Sequence, residues 1–116
     1  MKRKRKEWNL NFFNEKPVQP MTEDKCTFFT KDIIEAIRWL PTASNRQDYA
    51  IIFNGQTAHS FCIGTGMMNL CDGGIAMAHI EVDCIANGLE GHLEILDNVC
   101  DNIPSNWKYL ASFVCK

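Results

Sequence analysis

Apolar and polar residues recur with two different periods along the chain, and these periods predict both strands and helices. Residues 48–63 contain two runs rich in β-branched and aromatic residues, separated by Asn54 and Gly55. Asn-Gly is the dipeptide that most readily adopts the positive φ angles of a tight hairpin turn. The pattern therefore predicts a β-hairpin over residues 48–63.

The segment before the hairpin has helical spacing. Thr30 can accept a backbone hydrogen bond as the N-cap residue, and Pro41 would end the helix. The predicted apolar face consists of Ile33, Ile34, Ile37 and Leu40.

A longer helix is predicted after the hairpin, because apolar residues recur there every three or four positions. Gly73 and Gly74 interrupt its start, so it begins either near Met67 or after them with Asp72 as N-cap, and Gly88 closes it. Its predicted core-facing stripe is Met67, Cys71, Ile75, Ala78, Val82, Ile85 and Leu89. A second apolar patch, a candidate secondary interface with another helix or a second subunit, consists of Met77, Ile80 and Cys84.

The last third of the chain predicts one more helix and a final strand. The helix would place Leu89, Leu93, Leu96, Cys100 and Ile103 inside and end at Pro104. Residues 107–115 suit either a strand or a helix face, and we favour a strand. Together these elements predict an α+β fold: one small domain at residues 26–116, with a hairpin-centred antiparallel sheet packed by two to three helices. Residues 1–25 would form a basic, extended N-terminal arm in which Trp8, Phe12 and Phe13 can dock on the domain.

Length and composition are those of one small globular domain. The 116 residues contain no apolar run of bilayer-spanning length and no apolar segment typical of a signal peptide. A cytoplasmic location is therefore expected, with the six cysteines reduced and mostly buried. The N-terminal basic run can contact nucleic acid, although short charged termini are more often solvated; it consists of Lys2, Arg3, Lys4, Arg5 and Lys6.

Acidic residues predominate after residue 47, where no lysine or arginine occurs before Lys108. On the predicted last helix, a row of four acids forms a candidate partner-binding face of Glu90, Glu94, Asp97 and Asp101. Such a row is complementary to a basic protein surface and would repel nucleic acid.

Three groups of residues suggest chemistry. His59 and Cys62 are zinc-ligand types, but residues three apart in a strand point to opposite faces, so no metal is expected. His79 and Asp83 favour a surface ion pair over a catalytic dyad. A candidate ligand loop contains Gly64, Gly66, Gly73 and Gly74, but Asn69 replaces the third glycine of a dinucleotide loop and no basic residue is near.

No segment carries a recognisable family signature, so charge distribution determines the functional hypothesis. We predict a small intracellular protein-binding regulator or inhibitor, of the kind encoded by phage or mobile elements, that is not an enzyme, has no cofactor and does not bind a membrane. A homodimer stays open as an alternative assembly. The alternative functions are a ligand-binding, nucleotide-binding or enzymatic domain using the loop of residues 64–74, and a nucleic-acid-associated protein using the N-terminal tail.

Overall fold

A five-stranded mixed sheet connects the residues that the computed structural model describes, which are 11–17, 19–26, 28–39, 48–64, 66–97, 99 and 102–116. Its strand order is β1-β2-β3-β5-β4. The strands are β1 (Phe12–Asn14), β2 (Tyr49–Asn54), β3 (Thr57–Ile63), β4 (Gly91–Glu94) and β5 (Trp107–Cys115), and the helices are α1 (Lys31–Arg38) and α2 (Met67–Ala86). A short 3-10 helix covers Glu23–Lys25. The predicted α+β class is confirmed.

The predicted hairpin is confirmed as the antiparallel pair of β2 and β3, which is closed by the pairing of Asn54 with Thr57. Gly55 has a φ of 61°, in the left-handed region that favours glycine. The strand assignment for residues 107–115 is also confirmed, because β5 pairs with both β3 and β4.

Part of the predicted N-terminal arm belongs to the sheet. Phe12 and Phe13 in β1 lie parallel to β2, opposite Ile51 and Ile52, and Phe12 is completely buried. This parallel pair makes the sheet mixed, where the sequence predicted an antiparallel one. The domain boundary at residue 25 stays a prediction, and Trp8 lies outside the described residues.

Helix α1 has the predicted N-cap, because the backbone N–H of Ile33 donates to the Thr30 hydroxyl at 3.4 Å. Ile33, Ile34 and Ile37 are buried, as the apolar spacing predicted. Leu40 and Pro41 lie outside the described residues.

Helix α2 runs without interruption through Gly73 and Gly74. A Cβ atom at Gly73 would lie 2.7 Å from the Cβ of Cys62 and 2.6 Å from a methyl group of Leu110. Glycine at this position therefore lets α2 approach β3 and β5 closely. Gly88, with a φ of 84°, follows the C-terminal end, where the Leu89 N–H donates to the Cys84 carbonyl. This confirms the predicted closure of the helix.

The faces of α2 are the reverse of those predicted. Ile80 and Cys84 are completely buried, whereas Met67 is 77%, Val82 60% and Ile85 55% exposed. Both faces are apolar, so the helical period by itself could not tell which one packs on the sheet. Ile80 and Cys84, two members of the candidate secondary interface, present no surface to a partner, and Met77, the third, is partly buried. Among the described residues, neither helix combines the length and the apolar composition that crossing a membrane requires.

The predicted helix over residues 89–103 is wrong, because residues 91–94 form β4 and pair antiparallel with β5. Gly91 lies against Phe113 and the Val114 carbonyl, where a Cβ would be only 2.5 Å from that oxygen. Four residues are too few for the spacing of apolar positions to distinguish a strand from a helix. The pairing with β5, which is distant in sequence, decides for the strand.

The strand β5 contains a bulge. Ser60 pairs with Ala111 and Phe61 pairs with Tyr109, which leaves Leu110 as an extra residue in β5. Because of this bulge, Tyr109 and Ser112 lie on the same face of the sheet although they are three residues apart.

Candidate active site

The helices pack on one face of the sheet, which we call the helix face, and the opposite face contains a row of polar side chains. On this opposite face His59 of β3 lies directly across from Ser112 of β5, which in turn lies across from Glu94 of β4. His59 is 5% exposed and Ser112 is completely buried. Three neighbouring strands therefore bring polar groups into one line, which is buried at His59 and Ser112 and exposed at Glu94.

Short hydrogen bonds join these groups into a chain. Nδ1 of His59 lies 2.6 Å from Oγ of Ser112, and this Oγ lies 2.6 Å from the hydroxyl oxygen of Tyr109. The Tyr109 hydroxyl accepts a hydrogen bond from the Leu96 N–H at 3.1 Å and lies 3.4 Å from the Glu94 carbonyl. We call His59, Ser112 and Tyr109 the polar chain.

Burial sets the charge of the polar chain. Desolvation lowers the pKa of His59, because the protein interior solvates an imidazolium less well than water does. His59 is therefore neutral near pH 7, with one ring nitrogen protonated and the other able to accept a proton. A neutral imidazole with fixed hydrogen-bond partners is a group that can act as an acid or a base.

Aromatic side chains lie beside the polar chain on the same face. Ring centroids are 5.1 Å apart between Phe13 and Trp107, 5.5 Å between Phe61 and Trp107, and 5.6 Å between Phe61 and Tyr109. Val99 and Ile103, from the connection between β4 and β5, pack against this group. The polar chain thus lies at the edge of an apolar, aromatic cluster that excludes water.

The four glycines of the candidate ligand loop lie in two different structural settings. Gly64 and Gly66 lie between β3 and α2, and Gly64 has a φ of 97°. Gly73 and Gly74 lie inside α2, one to two turns beyond the loop. The structure therefore does not bring the four glycines into one loop.

The two described residues of the loop between β3 and α2, Gly64 and Gly66, have backbone amides that are already engaged within the protein. The Gly64 N–H donates to the Asn106 carbonyl at 2.7 Å, and the Gly66 N–H donates to the side-chain oxygen of Asn69 at 3.1 Å. The Asn69 amide nitrogen donates to the Asp48 carboxylate, and the Asp48 N–H donates to the buried carboxylate of Asp72. Amides already engaged and two nearby carboxylates disfavour an anion.

The zinc-type residues are separated by the sheet. His59 points to the aromatic side, whereas Cys62 lies against Gly73 of α2 on the helix face. The extra residue of the bulge, Leu110, lies in β5, so β3 stays regular between His59 and Cys62. Within the described ranges, no group of three histidine, cysteine or acidic residues is placed to hold a metal ion.

The remaining predicted residues lie in several parts of the structure, and their functional roles stay predictions. Among the described residues His79 and Asp83 form no ion pair, and burial raises the pKa of Asp83 while the His79 charge opposes this. Glu90, Glu94 and Asp97 lie in or beside β4, so the acidic helix face does not exist. Glu94 instead pairs with His92 at 3.1 Å on the surface. Asp101, Cys100 and the basic run at 2–6 lie outside the described residues.

Comparison with known proteins identifies the family of this chain. A family model described as "Putative TM nitroreductase" matches residues 4–84. The match covers well over half of the chain, so the chain belongs to this family. The matched segment contains His59 but neither Tyr109 nor Ser112. The comparisons with curated proteins and with solved structures found no match.

The family match overturns two predictions. The interpretation as a non-catalytic protein-binding regulator or inhibitor is wrong, and so is the expectation that the chain is not an enzyme, because the matching family is described as a nitroreductase. The match lends no support to an origin in a phage or mobile element. It favours the enzymatic alternative, while the role assigned to the residue 64–74 loop in that alternative stays a prediction.

Ser112 and Tyr109 were missed by the sequence analysis. Their positions three apart in a predicted strand implied opposite faces, and only the bulge at Leu110 brings their oxygens together. A serine and a tyrosine flanking a Leu-Ala pair have no spacing typical of a site, so the sequence offers no signal for them.

Proposed function

We propose that this chain is an enzyme domain that reduces nitro compounds in the cytoplasm. The observation that carries the proposal is the family match over residues 4–84. The polar chain supports it by offering a buried group able to move protons.

Reduction of a nitro group to a nitroso group takes up two electrons and two protons and releases water. Side chains can supply the protons, but the electrons come from a carrier such as a flavin or a reduced nicotinamide. The Gly64 and Gly66 amides, which could otherwise bind the phosphate of such a carrier, are engaged within the protein. We therefore derive no step through a bound carrier and assign to this chain only the handling of protons.

His59 is the candidate proton donor of this reaction. It lies within the family-matched segment, it is buried, and its lowered pKa keeps it neutral near pH 7. A neutral imidazole can donate a proton to a developing negative charge on a nitro oxygen. The partly exposed rings of Trp107 and Tyr109 offer a surface on which a flat substrate can stack.

An assay of the purified chain tests the proposal. 4-Nitrobenzoate and a reduced nicotinamide would be supplied, with and without free flavin, and products would be identified by mass spectrometry. We expect protein-dependent formation of the nitroso or hydroxylamine product. The His59→Asn variant should lose most of this activity, whereas His92→Asn, a change at an exposed histidine on β4, should retain it. No product above the protein-free rate in either arm would refute the proposed function.

A further inference from the structure

We infer that Ser112 and Tyr109 form a proton relay, which connects Nε2 of His59 with solvent at the β4 side of the sheet. The inference rests on the proposed function, because a relay is useful only if His59 gives protons to a substrate. Both relay residues lie outside the family-matched segment, so family membership does not assign them a role.

The relay follows from the number of hydrogens that its members hold. The Ser112 hydroxyl has one hydrogen and lies 2.6 Å from two polar atoms, Nδ1 of His59 and the Tyr109 oxygen. It can donate to only one of them and must accept from the other. The hydrogen bonds of the polar chain therefore all run in one direction or all run in the other.

The first direction leaves Nε2 of His59 protonated. In it Tyr109 donates to Ser112, and Ser112 donates to Nδ1, so the ring hydrogen is on Nε2. The Tyr109 oxygen meanwhile accepts the Leu96 N–H. The hydroxyl hydrogens of Tyr109 and Ser112 each meet an acceptor at 2.6 Å in this arrangement, which is why we assign it as the resting one.

The second direction leaves Nε2 able to accept a proton. In it Nδ1 of His59 donates to Ser112, Ser112 donates to Tyr109, and Tyr109 donates to the Glu94 carbonyl. The Leu96 N–H still donates to Tyr109, but the Tyr109 hydrogen now meets only the Glu94 carbonyl, at the long distance of 3.4 Å, so we assign this arrangement as the alternative one. The difference between the two directions gives the chain a defined resting state and one accessible alternative.

Passage of a proton converts the first direction into the second. His59 gives the Nε2 proton to the substrate, Ser112 gives its proton to Nδ1, and Tyr109 gives its proton to Ser112. The hydroxyl of Tyr109, a partly exposed residue, then takes a proton from water. No electron moves in this sequence, and one proton enters at Tyr109 for each that leaves at Nε2. After the product has left, Nε2 takes a proton from water that enters the site, and the transfers run in the reverse order to release one proton at Tyr109 and reset the chain.

Few charged groups face His59 from the elements around it. Glu94 and His92 lie on the same face of β4, and Asp97 follows that strand. In the described parts of β1 and β2, the residues on this face are Phe13, Ala50, Ile52 and Asn54, none of which titrates. Tyr109 is thus the titratable group that hydrogen bonds link to His59 through Ser112.

Nitrogen NMR of the full chain tests the relay without any activity. The ¹⁵N shifts of the His59 ring should show hydrogen on Nε2 in the wild type. Ser112→Ala should move the ring toward a mixture of tautomers, and Ser112→Thr, which keeps the hydroxyl, should restore the wild-type shifts. Ser60→Ala removes an equally buried serine from the helix face and should change nothing. Hydrogen on Nδ1 in the wild type, or equal shifts in wild type and Ser112→Ala, would overturn the relay.

Kinetics of nitro reduction test its use in turnover. Tyr109→Phe keeps the Ser112 bond to His59 but removes the link to water, so kcat should fall by about 10–100-fold with little change in KM. The solvent deuterium isotope effect on kcat should rise in this variant. A kcat within about 2-fold of the wild type would overturn the relay. If no protein reduces the substrate, the NMR result still decides the relay while the proposed function fails.

Discussion

Two buried serines on opposite faces of the same sheet differ in what surrounds them. Ser60 lies on the helix face and is 1% exposed, and its hydroxyl has no hydrogen-bond partner among the described residues. Ser112 is completely buried on the other face, and its hydroxyl has two partners at 2.6 Å. The two serines are equally buried, so they differ only in the hydrogen-bond partners that their surroundings provide.

The two faces of the sheet thus differ in role: the helix face packs against the helices, and the opposite face contains the polar chain. The helix face is closed by α1 and α2 with aliphatic and aromatic side chains, so it can hold a serine only as an isolated polar group. The opposite face is covered by the connection between β4 and β5, whose Leu96 N–H reaches the polar chain. A polar backbone close to buried side chains allows a connected hydrogen-bond network there.

The largest expected effect concerns packing on the helix face. Ile80→Ala should lower the free energy of unfolding by about 2–5 kcal/mol, because it removes a completely buried side chain of α2. Val82→Ala, at a position of the same helix that is 60% exposed, should change it by at most about 0.5 kcal/mol. Urea denaturation measures both, and equal losses would mean that α2 does not pack by its Ile80 face.

A smaller effect is expected where α2 touches the sheet most closely. Gly73→Ala should cost about 1–3 kcal/mol, because its methyl group meets Cys62 and Leu110 at less than 3 Å. Gly74→Ala is the matched control, since a Cβ there meets nothing within 4 Å, and alanine should stabilise the helix by about 1 kcal/mol. Thermal unfolding should therefore shift in opposite directions for the two variants. A shift in the same direction would contradict the close approach at Gly73.

The two serines test the comparison directly. Ser112→Ala should cost about 1–2 kcal/mol, because it leaves two buried polar groups without their partner. Ser60→Ala should be neutral or slightly stabilising, because it removes a hydroxyl that is already unpartnered. Denaturant midpoints measured side by side would decide the matter, and a Ser60→Ala cost as large as that of Ser112→Ala would show that both hydroxyls are satisfied.

The smallest effect is a dependence of stability on pH. The pKa of His59 is lower in the folded chain than in the unfolded chain, so this group stabilises the fold fully above the unfolded pKa of about 6.5. That contribution is lost as the pH falls through the folded pKa. Stability should therefore decrease between pH 7.5 and pH 5, less steeply in His59→Asn than in the wild type. Identical slopes for the two proteins would show that His59 does not titrate differently in the folded state.

Local patterns with one physical solution were predictable from the sequence. Gly55 supplies the turn of the hairpin, Thr30 supplies an N-cap, and Gly88 follows the C-terminal end of α2. Each of these residues acts through its own backbone or through neighbours three to five positions away. The candidate site was hardly predictable, because the sequence singled out His59 only as a zinc-ligand type and gave no signal for its two partners.

The sequence by itself determined that the chain forms helices and strands in an α+β domain, because side-chain period and turn chemistry act over a few residues. Only the tertiary structure decided which apolar face of α2 is buried, that residues 91–94 form a strand, and that Tyr109 meets Ser112. The first depends on the close approach of Gly73 to the sheet, the second on a free edge of β5, and the third on one extra residue in a ladder. Each of these three outcomes depends on contacts between segments that are distant in sequence. A local pattern holds no information about the energy of such contacts.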